Sequence, residues 1–565
     1  MDFEVRRTDP QVAGELGQEL GLSSTVAQLL LHRGLSDVEQ ARRFLAPKLA
    51  HLSAPDAMAD RVAAADRLAH AVRTGERIAI FGDYDVDGTT SAAVLAEILS
   101  ALGGEVVVEI ANRFDGGYGF SQEALARVLA HSPALVVTCD CGSSDHARLA
   151  QLAPKGIDAI VVDHHLVPDE PLPVLAFLNP NRPDCGFGFK GLCSAGLALS
   201  LGAGVRGSLD APLDLRRFLD LVALGTIADV VPLAGDNRAL TRAGLQLLSS
   251  PHPRPGIAVL RELAKVRPGT ALGAIDVSYK LTPRLNAPGR LGDQGISLSL
   301  LRAGDMESAR ELGARIDELN EQRRGIEREV TSAALQQARD VYGASPTGGV
   351  VVGAEGWHRG VVGISAARLV DELGVPVVVV GFDGGEGHGS CRTPDGFRLY
   401  DALTQCAASL TRFGGHQAAS GVSLPADRLD AFRADFASAI EQQAADAGPR
   451  PPVMVDVVVD GRDFPVPRAS ELAQLEPLGE ANAQPLFHVP RATVAMRRVV
   501  GQGQDHLKLQ LGLPGGKLSA FGFDLVGTPG DVPEGTDVQV LGSIRPDSWR
   551  GGEAVELHIE AIEPA

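Results

Sequence analysis

Three carboxylates alternate in Asp83-Tyr84-Asp85-Val86-Asp87, one glycine after the short apolar run Ile78-Ala79-Ile80-Phe81. Charges of one sign this close repel one another unless a cation or a set of donors neutralises them, so the spacing reads as a site for hard divalent metal ions. Asp83-x-Asp85-x-Asp87-Gly88 also copies the opening of a calcium-binding EF-hand loop, which needs a preceding helix and a bidentate Glu at its twelfth position. Counting from Asp83, that position is Val94, the nearest Glu is Glu97, and the preceding run is strand-like, so the calcium-loop reading fails on both counts.

Three further acidic elements accompany the first. Asp140 follows the apolar run 135–139, Asp163-His164-His165 follow 159–162, and Asp229 lies in LGTIADVVPL after an apolar helix-like stretch. Each alone is an ordinary turn or cap residue. Together they supply what in-line displacement at phosphorus by two metal ions requires, a carboxylate to bridge the ions and separate ligands for each. Asp83, Asp85, Asp87, Asp140, Asp229 and His164 are the candidate set. The imidazole favours Mn²⁺ over Mg²⁺, being softer than a carboxylate, with Mg²⁺ as the alternative.

The elements that must position these residues alternate from about 76 to 230: RIAIF, a helix over 91–102, EVVVEI, a helix over 122–130, ALVVTC and AIVVD. Val/Ile runs without polar alternation, separated by helices, predict a parallel sheet covered on both faces, a doubly wound α/β domain whose ligands sit beyond the carboxyl ends of its strands. The acidic residues fall there. Residues 305–342 carry both signs of charge and few breakers, predicting a helix of about 55 Å that acts as a strut between two α/β domains; a coiled-coil arm lacks the apolar heptad. A second α/β domain follows, with strands in GGVVVGA, VPVVVVGF, HGSCR and ASGVSL and a helix over 361–373. A linker over 442–452 leads to five or six strand signals, predicting a small all-β domain of OB type.

At 565 residues the chain exceeds a single core. It shows no apolar run of membrane-spanning length, and its first ten residues are charged where a signal peptide is apolar, so a cytoplasmic protein without membrane association is expected. Six cysteines without a C-x-x-C pair point to reduced, buried thiols. The formal charge of −19 argues against a broad, non-specific DNA binder and by itself favours a small-molecule enzyme. A narrow basic groove in an acidic shell is the form left for a nucleic-acid enzyme.

Evidence for a polymeric substrate must come from the surroundings of the acids. Residues 112–120 interleave Arg113, Phe114, Tyr118 and Phe120 with glycine, a composition suited to stacking bases and pairing phosphates, or to an ordinary loop with its aromatics on the core. Arg284, Asn286 and Arg290 sit in LTPRLNAPGRLG, which is too rich in Pro and Gly to predict a helix and reads as a loop that tracks phosphates. Gly360-Val361-Val362-Gly363 opens a helix whose free N–H groups favour an anion. Gly414-Gly415-His416 forms a candidate anion nest, and Ser390 and Arg392 share a strand. The plain alternatives are tight turns for the glycines and a surface ion pair for Arg392.

The elements DYDVDG, CD, DHH and ADVVPL, in this order, resemble the DHH phosphoesterase superfamily; with GWHRGVVGISAARL and GGHQAASG the chain resembles its bacterial RecJ branch, over nearly its whole length. The resemblance implies that Asp85 and Asp140 hold one metal ion and that Asp87, Asp140, His164 and Asp229 hold the other, with Asp140 as bridge. Many relatives carry a histidine where this chain has Phe81, and Asp83 is the natural substitute ligand. His165, adjacent to His164 on a segment read as extended, is expected to point away from the ions and touch the scissile phosphate or the leaving oxygen, or else to orient an aspartate. His358, Ser390, Arg392, Gly414, Gly415 and His416 join the substrate-binding set through resemblance to the DHH-associated domain.

What the resemblance implies as a whole is a single-strand-specific 5′→3′ exonuclease of DNA recombination and repair. It would release 5′-mononucleotides from single-stranded DNA with a free 5′ end, using two Mn²⁺ ions or Mg²⁺, and act as a monomer alongside a single-strand-binding protein and a helicase. The expected division is 1–50 helical, 51–304 catalytic, 305–343 connecting helix, 344–448 DHH-associated and 449–565 OB-like. A competing reading, a DHH phosphodiesterase for cyclic dinucleotides or very short oligonucleotides, accounts better for the acidic charge and has no use for Arg284, Arg290 or the β domain. A non-catalytic scaffold of the same descent predicts missing ligands, whereas all six are present.

Overall fold

Five strands, β1 (Arg77–Gly82), β2 (Glu105–Ile110), β3 (Leu135–Cys139), β4 (Asp158–Val162) and β5 (Ala176–Leu178), run parallel in the order β2-β1-β3-β4-β5. The structure, a computed structural model, describes residues 3–114, 119–446, 452–547 and 549–565. It divides into one unit of residues 1–282, 298–309 and 452–565 and a second of residues 283–297 and 310–451. The sheet belongs to the first. β1, β3 and β4 are buried on both faces, which is why they read as unbroken apolar runs. The chain leaves β1 for β2 on one side and returns to β3 on the other, so the switch point of this doubly wound sheet lies between β1 and β3.

Helix α1 (Val86–Ala101) starts five residues earlier than its composition predicts, because Asp85 is its N-cap and accepts from the Gly88 N–H at 3.0 Å. That cap pulls Asp87 into the first turn. α1 is buried nearly all round, packed between the sheet and the helices α2 (Ser194–Ser208) and α3 (Leu219–Ala228). At Gly225 on α3 a β-carbon would lie 2.6 Å from Asp87 Oδ1 and 2.5 Å from Thr90 Oγ1, so only glycine allows the approach that brings the end of α3 to the acids. Helix α4 (Gly235–Leu248) follows and packs on α3.

The C-terminal strands of this unit, Phe487–Val500, His506–Leu513, Gly516–Gly522, Asp537–Pro546 and Val555–Pro564, close on themselves, since Phe487–Val500 pairs with both His506–Leu513 and Asp537–Pro546. Residues alternate between core and surface along them, as a small barrel requires. The N-terminal helices Pro10–Leu20, Ser24–His32 and Val38–Leu45 share the barrel's hydrophobic core, and Phe3–Val5 pairs in parallel with Val453–Val455.

The segment read as a loop over 282–291 is instead a helix, α5 (Thr282–Leu291). It continues directly from a π-helical turn, Val277–Leu281, that precedes Pro283, and burial of Leu285 and Ala287 outweighs the poor propensity of Pro288 and Gly289. The long helix α6 (Met306–Tyr342) has 37 residues. In the second unit a sheet of β6 (Val350–Glu355), β7 (Val377–Asp383), β8 (Glu386–Arg392), β9 (Arg412–Gly415) and β10 (Ala419–Pro425) has the order β9-β10-β8-β7-β6, with only β6 and β7 parallel. α6 and α7 (Val362–Leu373) cover one face, and the helix Leu429–Asp446 covers the other. Among the described residues no helix is long and apolar enough to cross a membrane, and all six cysteines are free and buried.

Candidate metal centre

Strand register sets the acids side by side. Gly82 pairs with Cys139, Cys139 with Val162 and Val162 with Leu178, so the strands end flush. The next residue of each continues the ladder by one bond: Asp83 N–H donates to Cys139 O at 3.2 Å, Asp140 N–H to Val162 O at 2.9 Å and Asp163 N–H to Leu178 O at 3.0 Å. Three aspartates thus stand one strand spacing apart, about 4.8 Å, at the carboxyl edge beside the switch point. Asp140 then turns in the left-handed region (φ 64°), which among residues with a side chain Asp and Asn adopt most readily.

Two nests of ligand atoms result. Oxygens of Asp83, Asp85 and Asp140 lie within 4.8 Å of one another, and so do atoms of Asp87, His164 and Asp229. His164 Nε2 joins the nests, 3.3 Å from Asp140 Oδ1 and 3.3 Å from Asp229 Oδ2. Asp83 Oδ1, His164 Nε2 and Asp229 Oδ2 are buried and make no hydrogen bond among the described residues, a costly state for polar atoms unless a ligand satisfies them. A carboxylate-rich set with one imidazole suits divalent cations of the Mg²⁺ and Mn²⁺ kind. The residues fit a divalent metal centre.

Electrostatics agree with that. Burial, and then the neighbouring carboxylates, push Asp83 and Asp140 well above the usual carboxyl range, and the same two causes bring Asp229 to about 9. Such a cluster holds protons until a cation replaces them. Burial lowers His164, leaving a neutral ring able to ligate metal. His165 is also penalised by burial, yet its hydrogen bond to Asp163 raises it to about 9, and His165 in turn holds Asp163 below the ordinary range against burial.

Several residues that hold the acids carry no signal in the sequence. The first turn of α2 donates Ser194 N–H to Asp87 Oδ2 (2.7 Å) and Ala195 N–H to Asp87 Oδ1 (3.0 Å), and the Ser194 hydroxyl donates to Asp140 Oδ1 (3.0 Å). In the sequence this turn looks like the start of any core helix. Asn179 and Asn181 fix the DHH turn by donating to the carbonyls of His165 (2.8 Å) and His164 (2.7 Å). That turn is not extended. The His164 and His165 rings lie 4.5 Å apart on the same side, correcting the expectation that they point opposite ways, and His165 Nδ1 is 4.0 Å from Asp140. Phe81 turns to the other face and packs on Phe120.

Of the other candidates, Arg113 stacks over Tyr84 at 4.3 Å and its charge acts on Asp83, while the Phe114 N–H donates to Asn112 Oδ1. Tyr118 lies outside the described residues. In the second unit Gly363, in the first turn of α7, approaches Ser390 and Arg392 so closely that a β-carbon there would lie 3.0 Å from Ser390 Oγ and 3.2 Å from Arg392 Nη2. Arg392 Nη1 donates to Ser390 Oγ at 2.9 Å, Arg290 Nη1 to Gly360 O at 3.1 Å, and the Gly360 N–H to His358 Nδ1 at 3.1 Å. The structure thus gathers Arg290, His358, Ser390 and Arg392 around the start of α7. Arg284 instead pairs with Asp317 at 3.3 Å, and Asn286 is half-buried on α5. Gly414, Gly415 and His416 are not a nest: the glycines belong to edge strand β9, and the His416 N–H donates to Ala419 O in the hairpin.

Residues 77–226 match the DHH family N-terminal domain, 347–442 the DHHA1 domain and 455–561 the RecJ OB domain. The chain is 35% identical to a single-stranded-DNA-specific exonuclease RecJ of Dickeya dadantii (strain 3937), across 96% of each chain. It is 33% identical to a protein of the same description from Bacillus subtilis (strain 168), across 99% of this chain and 70% of that one. A crystal structure of RecJ in complex with Mn²⁺ from Thermus thermophilus is similar with a TM-score of 0.81 at 29% identity, covering 100% of this chain and 80% of that one.

Proposed function

The chain belongs to the RecJ family of single-stranded-DNA-specific exonucleases, and from that premise we propose that it hydrolyses single-stranded DNA from the 5′ end, releasing 5′-mononucleotides, in DNA recombination and repair. The observation that carries the reading is the pair of ligand nests at the switch point, meeting at Asp140 and His164. Asp83, Asp85 and Asp140 would hold one divalent ion, and Asp87, Asp140, His164 and Asp229 a second, with Mn²⁺ favoured by the imidazole and Mg²⁺ the alternative. When bound, the ions supply Lewis-acid charge to the attacked phosphodiester and lower the pKa of water.

The remaining work falls to the chain. Ser194 and the N-terminal amides of α2 fix the orientation of Asp87 and Asp140 through hydrogen bonds to their carboxyl oxygens. His165, kept protonated by Asp163, places a positive charge beside Asp140, suited to a non-bridging phosphate oxygen or to the leaving oxygen. Arg113 and Tyr84 offer a guanidinium and a ring for the terminal nucleotide, and Arg290, Ser390 and Arg392 offer donors for phosphates. The barrel is proposed to grip the strand farther along, as OB folds do. A monomer of the cytoplasm that cooperates with a single-strand-binding protein and a helicase completes the proposal. The small-substrate alternative is not favoured, since the likeness to the RecJ family extends through the barrel.

The test is digestion of single- and double-stranded oligonucleotides labelled at either end, with Mn²⁺, Mg²⁺ or EDTA. Release of labelled mononucleotide first from the 5′ end of the single strand, abolished by EDTA, is expected. Cleavage of dinucleotides alone would overturn the proposal.

A further inference from the structure

Asn237, in the first turn of α4, is fully buried and far in sequence from every acid of the metal centre except Asp229. Its side-chain amide donates twice, to Gly191 O at 2.5 Å and to Pro232 O at 3.0 Å. Gly191 lies three residues before Ser194, in the segment that leads into the α2 turn gripping Asp87 and Asp140. Pro232 lies three residues after Asp229. One amide nitrogen therefore bridges two loops that touch the acids from opposite sequence directions.

We infer that Asn237 is a positioning residue for the metal centre, setting the distance between the Asp229 loop and the loop that holds Asp87 and Asp140. Three observations support this. The amide orientation is determined, because a flipped side chain would set its oxygen against two carbonyl oxygens. The Asp229 loop is held rather than relaxed: Val230, a branched residue, sits in the left-handed region at φ 58° while 64% exposed, so nothing in its own packing imposes that conformation. On its far side the loop is fixed by Asn237 at Pro232 and by the Leu233 N–H donating to Glu480 O at 2.8 Å. Finally, Asn237 Oδ1 accepts no hydrogen bond among the described residues, so the donations are what a polar group here contributes. Groups that orient metal ligands from outside the ligand set change metal affinity by roughly 10- to 100-fold when removed.

The inference rests on the metal-centre reading, and the experiment separates the two. Mn²⁺ is titrated into metal-free full-length protein and followed by the EPR signal of free Mn²⁺, for wild type, Asn237→Leu and Asn237→Ser. Leu fills the site and Ser, one bond short of the amide nitrogen, leaves it partly open, so a result common to both comes from the lost donors and not from packing. Both variants should require about 10- to 100-fold more Mn²⁺ for half-saturation, with circular dichroism like wild type. In turnover, kcat should fall at limiting Mn²⁺ and recover at saturating Mn²⁺, with KM for DNA unchanged. A wild-type Mn²⁺ isotherm in either folded variant overturns the inference, as does failure of both variants to fold, which would assign the donors to the fold alone. A wild-type protein that binds no Mn²⁺ overturns the metal-centre reading and the inference with it.

Discussion

Asp163 Oδ1 lies 2.7 Å from His165 Nδ1, and the same oxygen accepts the backbone N–H groups of His164 at 2.8 Å and His165 at 3.2 Å. One carboxylate oxygen thus fixes the turn that presents both imidazoles and keeps the second ring charged. Asp163→Asn retains an oxygen acceptor and removes the charge, so His165 should fall from about 9 toward its ordinary range. We expect kcat at neutral pH and saturating Mn²⁺ to drop by roughly 10- to 100-fold with little change in KM. A wild-type kcat would show that the charge on His165 is not used.

Asp140→Ala should abolish turnover, with a loss of at least roughly a hundred-fold at saturating Mn²⁺, because a ligand shared by both nests is gone. The metal-free variant should melt no lower than wild type, since removing one of several clustered carboxylates relieves repulsion. Calorimetry of the metal-free proteins checks the second statement and a 5′-label release assay the first.

The raised carboxyls predict a pH dependence with a definite sign. Asp229, at about 9 in the fold against an ordinary 3.8, binds a proton that the unfolded chain releases between those values. Its contribution to the stability of the metal-free protein is therefore complete below about pH 4, is lost as pH rises, and is gone above about pH 9. The melting temperature in EDTA should fall across that window, and saturating Mn²⁺ should oppose the fall by expelling the protons. Mn²⁺ affinity should rise with pH over the same range, with proton release visible by titration calorimetry in buffers of different ionisation enthalpy. A melting temperature in EDTA that is flat from about pH 5 to about pH 9 would contradict the assignment.

Arg392 and Ser390 beside the start of α7 are proposed to catch the terminal 5′-phosphate. Arg392→Ala should raise KM for a 5′-phosphorylated strand and bring its kcat/KM close to that of a 5′-hydroxyl strand. Equal losses on both ends would place recognition of the 5′ group elsewhere.

The acid cluster is legible in the sequence because a parallel sheet with both faces covered writes its strands as apolar runs, and the residue after each run must lie at one edge. The grip on Asp87 and Asp140 by Ser194 and Ala195 is not legible, because those contacts arise from packing of α2 against α1 and leave no local pattern. α5 escapes a sequence reading for a related reason: intrinsic propensity argues against a helix through Pro288, and burial of Leu285 and Ala287, which decides it, is a tertiary fact. The glycines at 414 and 415 suggest a nest where pairing with β10 makes an edge strand. The divergence expected of His164 and His165 fails because Asp163 bends a segment whose sequence reads as straight.

The shared core of the first three helices and the C-terminal barrel bears on how the protein is born. Helices ending at Leu45 wait for partners that begin at Val457, so at synthesis rates of about 5 to 20 residues per second they spend roughly 20 to 80 s without them. During that interval the catalytic sheet has already left the ribosome, and an amphipathic N-terminal segment stands exposed as a natural client for a chaperone. A ribosome that stalls before the barrel therefore leaves the first three helices without the core they pack against, although every one of their own residues is in place.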